Sequence, residues 1–136
     1  MPRTPGAAGT DMVRGIGVDI IEIGRIRRSI ETTGESFLAK VYTDGEIAYC
    51  DAKAHRYQHY AARFAAKEAL SKALSTGWAG EFRWKDVEVM NEPSGQPRFT
   101  LHGSLAERLA GADVMLSMSH SESHVVAMVV IQEPDA

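Results

Sequence analysis

The sequence predicts an α+β domain in which a long helix lies on an antiparallel sheet, and three patterns point to it. Ile16, Val18 and Ile20 alternate with Gly15, Gly17 and Asp19, the two-residue period of a strand. Ala62, Ala66, Ala69 and Ala73 recur at helical spacing, a stripe of small residues that lets a helix approach its neighbour closely and buries at least half of it. Helix-period segments gather early and strand-period segments late, which favours α+β over an alternating α/β fold.

The first strand, residues 13–21, contains an anomaly. Asp19 stands where a strand covered on both faces would carry an apolar residue, so its carboxylate requires a hydrogen bond, a cation, a metal, or a role in capping the next helix. Gly15 and Gly17 begin a dinucleotide-loop pattern, but Ile20 occupies the third glycine position and no Gly-Lys-Ser/Thr follows, so both nucleotide fingerprints fail. Ile23, Ile26 and Ile30 mark an amphipathic helix ending near Gly34. Phe37, Leu38 and Val41 mark a second, short helix. Thr43 and Glu46 have capping-box spacing and start a third that leads toward Cys50. The alanine-rich helix follows, ending before Gly77. Residues 87–91 and 98–101 read as a hairpin around Pro93, Ser94 and Gly95. A short helix about Leu105 and Leu109 precedes strands at 114–119 and 125–131.

Composition bounds the function. A chain of 136 residues, 44% apolar, is one domain with enough material for a core. We place that domain at residues 13–133 and expect residues 1–12, rich in proline and glycine at their start, to form a loose arm. A net charge of −3 argues against a general nucleic-acid binder. The single cysteine, Cys50, excludes an intrachain disulfide framework and fits a reducing cytosol. No apolar run approaches the length of a membrane span, so no membrane partner is expected.

The charged residues are concentrated on the alanine-rich helix. Phe64, Glu68 and Lys72 share one face, with Arg63 and Lys67 beside them. One acid among three cations leaves a local positive surplus, for which phosphate is the natural partner. As a mere surface pair, Glu68 and Lys72 would contribute only about 0.2–0.5 kcal/mol, but the alanine stripe sets these charges at the edge of a buried helix, where they need partners or a ligand. The strand over Leu116 to Ser121 ends in a polar cluster. Adjacent Ser119 and His120 point to opposite sides of an extended chain, which suits phosphate oxygens better than a nucleophile–base pair. On the first helix, turning the isoleucines inward leaves Arg25 and Arg28 outward and Arg27 near the boundary. His55 and His59 have zinc-compatible spacing with Cys50 or Asp51 nearby, yet Arg56 follows His55 where H-E-x-x-H requires glutamate. A zinc hydrolase and a non-catalytic binding module are the competing readings.

Gly17-Val18-Asp19-Ile20 followed by Ile23 and Arg25, then Phe64 through Lys72, then Ser117-Met118-Ser119-His120, resemble in order and separation the holo-[acyl-carrier-protein] synthases, the short bacterial group of 4′-phosphopantetheinyl transferases. The resemblance extends from Val13 to Ile131. It implies transfer of the phosphopantetheine arm of coenzyme A to a serine of apo acyl carrier protein, with release of adenosine 3′,5′-bisphosphate, in support of fatty acid biosynthesis. It further implies Asp19 and Glu68 as ligands of Mg2+, Glu68 and Lys72 as catalytic residues, and Arg63, Lys67, Lys72, Ser119 and His120 as contacts to the coenzyme. Arg25, with Arg28, would dock the acidic carrier. The family pattern also implies a cytoplasmic homotrimer with the coenzyme between protomers. Either Glu68 or a metal-bound water would take the serine proton. Longer two-lobed relatives carry a further acid where Ile21 stands here.

Overall fold

The inward face of the first strand, β1 (Asp11–Glu22), is formed by Gly15, Gly17, Asp19 and Ile21 rather than by its other isoleucines. A computed structural model describes residues 11–74 and 82–134. In it a long helix, α4 (Arg56–Leu74), crosses the inner side of a three-stranded antiparallel sheet of order β1-β5-β4, where β4 is Asp113–His120 and β5 is His124–Pro134. A methyl group on Gly17 would collide with the carbonyl oxygen of Ala69, and one on Gly15 with that of Ala73. The glycines and the alanine stripe are thus two halves of one backbone-to-backbone contact, closer than any larger side chain would permit. Ala66, Ala69, Leu70 and Ala73 from the helix and Ile21, Val125, Ala127, Val129 and Ile131 from the sheet form the centre of the core.

The strand is not covered on both faces, as its sequence suggested. Ile16, Val18 and Ile20 are 64%, 55% and 67% exposed on the outer side, beside Val130, Met128 and Val126 of β5 in the antiparallel register. Nor does Asp19 cap the next helix. The N-cap of α1 (Ile23–Thr33) is Glu22, which makes no side-chain capping bond.

Local signals elsewhere were followed closely. Helix α1 buries Ile26 and Ile30 and ends at Gly34, whose φ of 51° suits glycine and whose N–H donates to the Ile30 carbonyl. α2 is Glu35–Val41. In α3 (Asp44–Asp51) the capping box forms in full: the Glu46 N–H donates to Thr43 Oγ1 at 3.2 Å, and the Thr43 N–H donates to Glu46 Oε1 at 3.0 Å. The hairpin consists of β2 (Val87–Asn91) and β3 (Pro97–Leu101), preceded by one 3-10 turn at Trp84–Asp86. α5 is Gly103–Arg108. The domain's strands reach further than expected at both ends, since Asp11 pairs with Pro134. The rest of the expected arm and the stop at Gly77 lie outside the described residues.

Candidate active site

Two places hold the candidate residues. The first is where the end of β1 meets α4. Lys72 Nζ donates to Asp19 Oδ1 at 3.0 Å and to the Val18 carbonyl at 3.3 Å. The Asp19 side chain is 15% exposed, and that of Lys72 is 54% exposed. Glu68, one turn before Lys72, is half-buried. Burial raises the proton affinity of its carboxyl above the ordinary glutamate range and the nearby Asp19 charge raises it further, while Lys72 and Arg25 oppose the shift. Two acids far apart in the chain are therefore close enough to repel one another, and a cation between them would relieve that repulsion. Their donors are hard carboxylate oxygens, which suit magnesium. Among the described residues no group of three or more His, Cys, Asp or Glu is gathered anywhere. Water and phosphate oxygens would therefore fill the remaining positions around an ion held by this pair.

The second place is an open cleft of about 290 Å³ between α4, the hairpin and the end of β4, lined among others by His59, Arg63, Asn91, Ser119 and His120. Arg63 is almost wholly buried, at 2% exposure. Its Nη2 donates to Asn91 Oδ1 at 2.9 Å, and its guanidinium lies 4.2 Å from the centre of the Tyr49 ring. Among the described residues its buried Nε has no hydrogen-bond partner. Burial lowers the proton affinity of His59, and the charges of Arg63, Lys53, His55 and His120 lower it further. The charges of Arg63 and Lys53 near His59 would favour an anion in the cleft. Ser119 and His120, expected on opposite sides of a strand, both border the cleft because they stand at its end.

The model of the 4′-phosphopantetheinyl transferase superfamily matches residues 15–129, a span that includes both acids and the cleft residues. The chain is 45% identical over 125 residues to a protein of Koribacter versatilis named holo-[acyl-carrier-protein] synthase, covering 90% of this chain and all of that one. It is 46% identical to a protein of the same name from Solibacter usitatus, over 89% of this chain and 99% of the other. The chain belongs to the holo-[acyl-carrier-protein] synthase family. Solved members share its fold. The Neisseria meningitidis synthase superposes with a TM-score of 0.79 at 33% identity, covering 88% of this chain and 98% of that one. The Bacillus anthracis synthase, in complex with CoA (3′,5′-ADP), superposes at 0.74 with 35% identity, covering 90% and 98%.

Within this family member one expected coenzyme contact requires correction. Lys67 is fully buried and does not line the cleft, although it stands one turn from Arg63 on the same helix. Its ammonium donates to Glu46 Oε1 at 2.6 Å, to the Val41 carbonyl at 2.6 Å and to the Trp84 carbonyl at 3.1 Å, which uses all three protons. Burial lowers its proton affinity, and Glu46 is the strongest influence in the opposite direction. No donor remains for a phosphate.

The zinc reading also fails on geometry. Cys50 is fully buried, its thiol pushed up to about 12 chiefly by burial. Asp51 is engaged by Arg56 and by the Tyr60 hydroxyl. Among the described residues neither is gathered with His55 and His59 into a group of three or more such ligands.

Arg25 and Arg28 are exposed on α1 as expected. Arg28 makes only a loose 3.8 Å contact with Glu22. Sequence reasoning missed Asn91 and Tyr49, the partners of Arg63, and the second role of Glu46. Asn91 ends a hairpin strand and Tyr49 lies within a short helix, positions without local signal. Glu46 was visible only as a capping residue.

Proposed function

We propose that this transferase moves the 4′-phosphopantetheine arm of coenzyme A to a serine hydroxyl of an apo acyl carrier protein, releasing adenosine 3′,5′-bisphosphate, with Asp19 and Glu68 as the holders of Mg2+. The observation that carries the site assignment is the meeting of Asp19, Glu68 and Lys72 at one corner of the β1–α4 contact. A magnesium ion there would offset charge on the diphosphate during displacement at phosphorus. The chain's own groups do the rest. Lys72, exposed and one turn beyond Glu68, contacts the same phosphate oxygens by turning its ammonium from Asp19. Glu68, or a water held at the metal, would take the serine proton.

The cleft supports coenzyme binding through Arg63, with Ser119 and His120 at its rim, because a buried guanidinium and neighbouring imidazoles favour a phosphate there. Arg25 and Arg28 steer and dock an acidic carrier. The charge of Arg25 reaches Glu68, which supports docking of the carrier beside the proposed reacting corner.

Assembly as a homotrimer, with the coenzyme between protomers, is supported by the outer sheet face. Ile16, Val18 and Ile20 of β1 adjoin Met128 of β5, and Met115 of β4 lies on the same exposed face, making an apolar patch of the kind that marks an interface. Sedimentation showing a fully active monomer overturns this assembly. The cytoplasm, where reducing conditions keep Cys50 a thiol, is the proposed site of action.

The deciding experiment incubates the protein with Mg2+, coenzyme A and an apo carrier and weighs the carrier by mass spectrometry. A phosphopantetheine adduct that forms with the parent and disappears with Asp19→Ala and Glu68→Ala is expected. An adduct undiminished in both variants rejects the site.

A further inference from the structure

Glu46 and Lys67 form an ion pair with both side chains wholly buried, at an N–O distance of 2.6 Å. Glu46 Oε1 also accepts from the Thr43 N–H, and its Oε2 accepts from the Val89 N–H at 3.0 Å. With the Lys67 bonds to Val41 and Trp84, one pair joins α4 to the end of α2, the start of α3, the 3-10 turn and β2. Burying two charges carries a desolvation cost that an apolar contact of the same size avoids, so stability alone is a poor reason for it. What an ion pair adds is direction.

Direction matters at this point of α4. Successive helical residues are turned by about 100°, so Lys67 and Ala69 lie on either flank of Glu68. On the Ala69 flank the helix is seated against Gly17 with no room for a methyl group. On the Lys67 flank it is held by three hydrogen bonds to fixed acceptors. Between the two flanks only a narrow range of helix rotation is allowed, and within it Glu68 comes close to Asp19.

We propose that Glu46 and Lys67 are positioning residues for the transfer, fixing the rotation of α4 so that the Glu68 carboxylate stays opposite Asp19. The proposal rests on the reading of Asp19 and Glu68 as the metal-holding pair. Neither Glu46 nor Lys67 touches substrate.

The test uses Glu46→Gln/Lys67→Met, which removes both charges and leaves a side-chain acceptor for a backbone N–H. Thermal unfolding reports the fold, the electron paramagnetic resonance signal of free Mn2+ reports metal affinity without turnover, and steady-state kinetics separate kcat from the KM for the carrier. The expected result is a folded variant with Mn2+ affinity and kcat each reduced about tenfold or more and an unchanged KM. A folded variant with parental Mn2+ affinity and kcat overturns the proposal. Should the double variant fail to fold, Glu46→Asp, which keeps the charge but retracts the carboxylate, is judged by the same two outcomes. A parent whose Mn2+ affinity is untouched by Asp19→Ala overturns the metal reading, and the positioning proposal with it. A parent that loses Mn2+ in Asp19→Ala while the double variant retains it overturns the positioning proposal alone.

Discussion

Lys67 and Lys72 lie on one helix little more than a turn apart, and they do opposite things. Lys67 has no exposed side-chain surface and donates to a carboxylate and two carbonyls, whereas the side chain of Lys72 is 54% exposed and reaches across to Asp19. Both belong to the same basic segment in the sequence. The contrast teaches that a lysine serves structure or chemistry according to the acceptors its helix face meets. A fully surrounded ammonium cannot turn to a phosphate, while a half-solvated one can exchange Asp19 for a substrate oxygen at small cost.

Several substitutions break or sharpen this contrast. The largest effect is expected at the acids that Lys72 serves. Asp19→Ala or Glu68→Ala should lower kcat by about 10²–10³-fold or more while leaving the unfolding midpoint near the parent's, and removal of divalent ions by a chelator should abolish turnover reversibly. Adduct formation measured by mass spectrometry checks both.

Next come the lysines themselves. Lys67→Ala leaves the Glu46 carboxylate buried without its partner and should cost about 3–5 kcal/mol of stability, read from urea unfolding. Lys72→Ala should scarcely move the unfolding curve but reduce kcat by about 10²-fold. The reverse pattern, a stable Lys67→Ala and an unfolded Lys72→Ala, would exchange the two roles.

A smaller effect is expected at the docking helix. Arg25→Glu should raise the KM for the carrier about tenfold at low salt, and the difference should narrow as salt is added. A KM unchanged at low salt rejects docking through Arg25.

The smallest effect concerns His59 in the cleft. Its folded proton affinity is held below the ordinary value near 6.5, so in the window beneath that value the unfolded chain binds a proton that the native protein refuses. Stability therefore falls as pH drops below about 6.5 and gains nothing from His59 above it. His59→Gln should flatten that part of the profile, measured by urea titrations on either side of the window. An unaltered slope would show that His59 does not carry it.

Much of the architecture was legible because its causes are local. The Thr43–Glu46 capping box, the Gly34 helix end, the hairpin around Gly95 and the isoleucine face of α1 each depend on residues within one or two turns, and each formed where the pattern indicated. The pairing of Asp19 with Glu68 was expected through a family likeness rather than through periodicity, and the Lys72–Asp19 hydrogen bond was not foreseen. The orientation of β1 was not legible. Its alternation is the same whichever side faces in, and only contact with Ala69 and Ala73 turns the glycines toward the helix and leaves Ile16, Val18 and Ile20 outside.

By itself the sequence determined most elements, the Thr43 and Gly34 caps and the gathering of charge on the alanine-rich helix, since backbone preference and hydrophobic period are written within short windows. The tertiary structure alone decided which of two neighbouring cations would be enclosed and which would remain accessible. Glu46, Val41 and Trp84 are remote from Lys67 in the chain, and the balance between losing water and gaining acceptors is struck only when such distant groups are brought together.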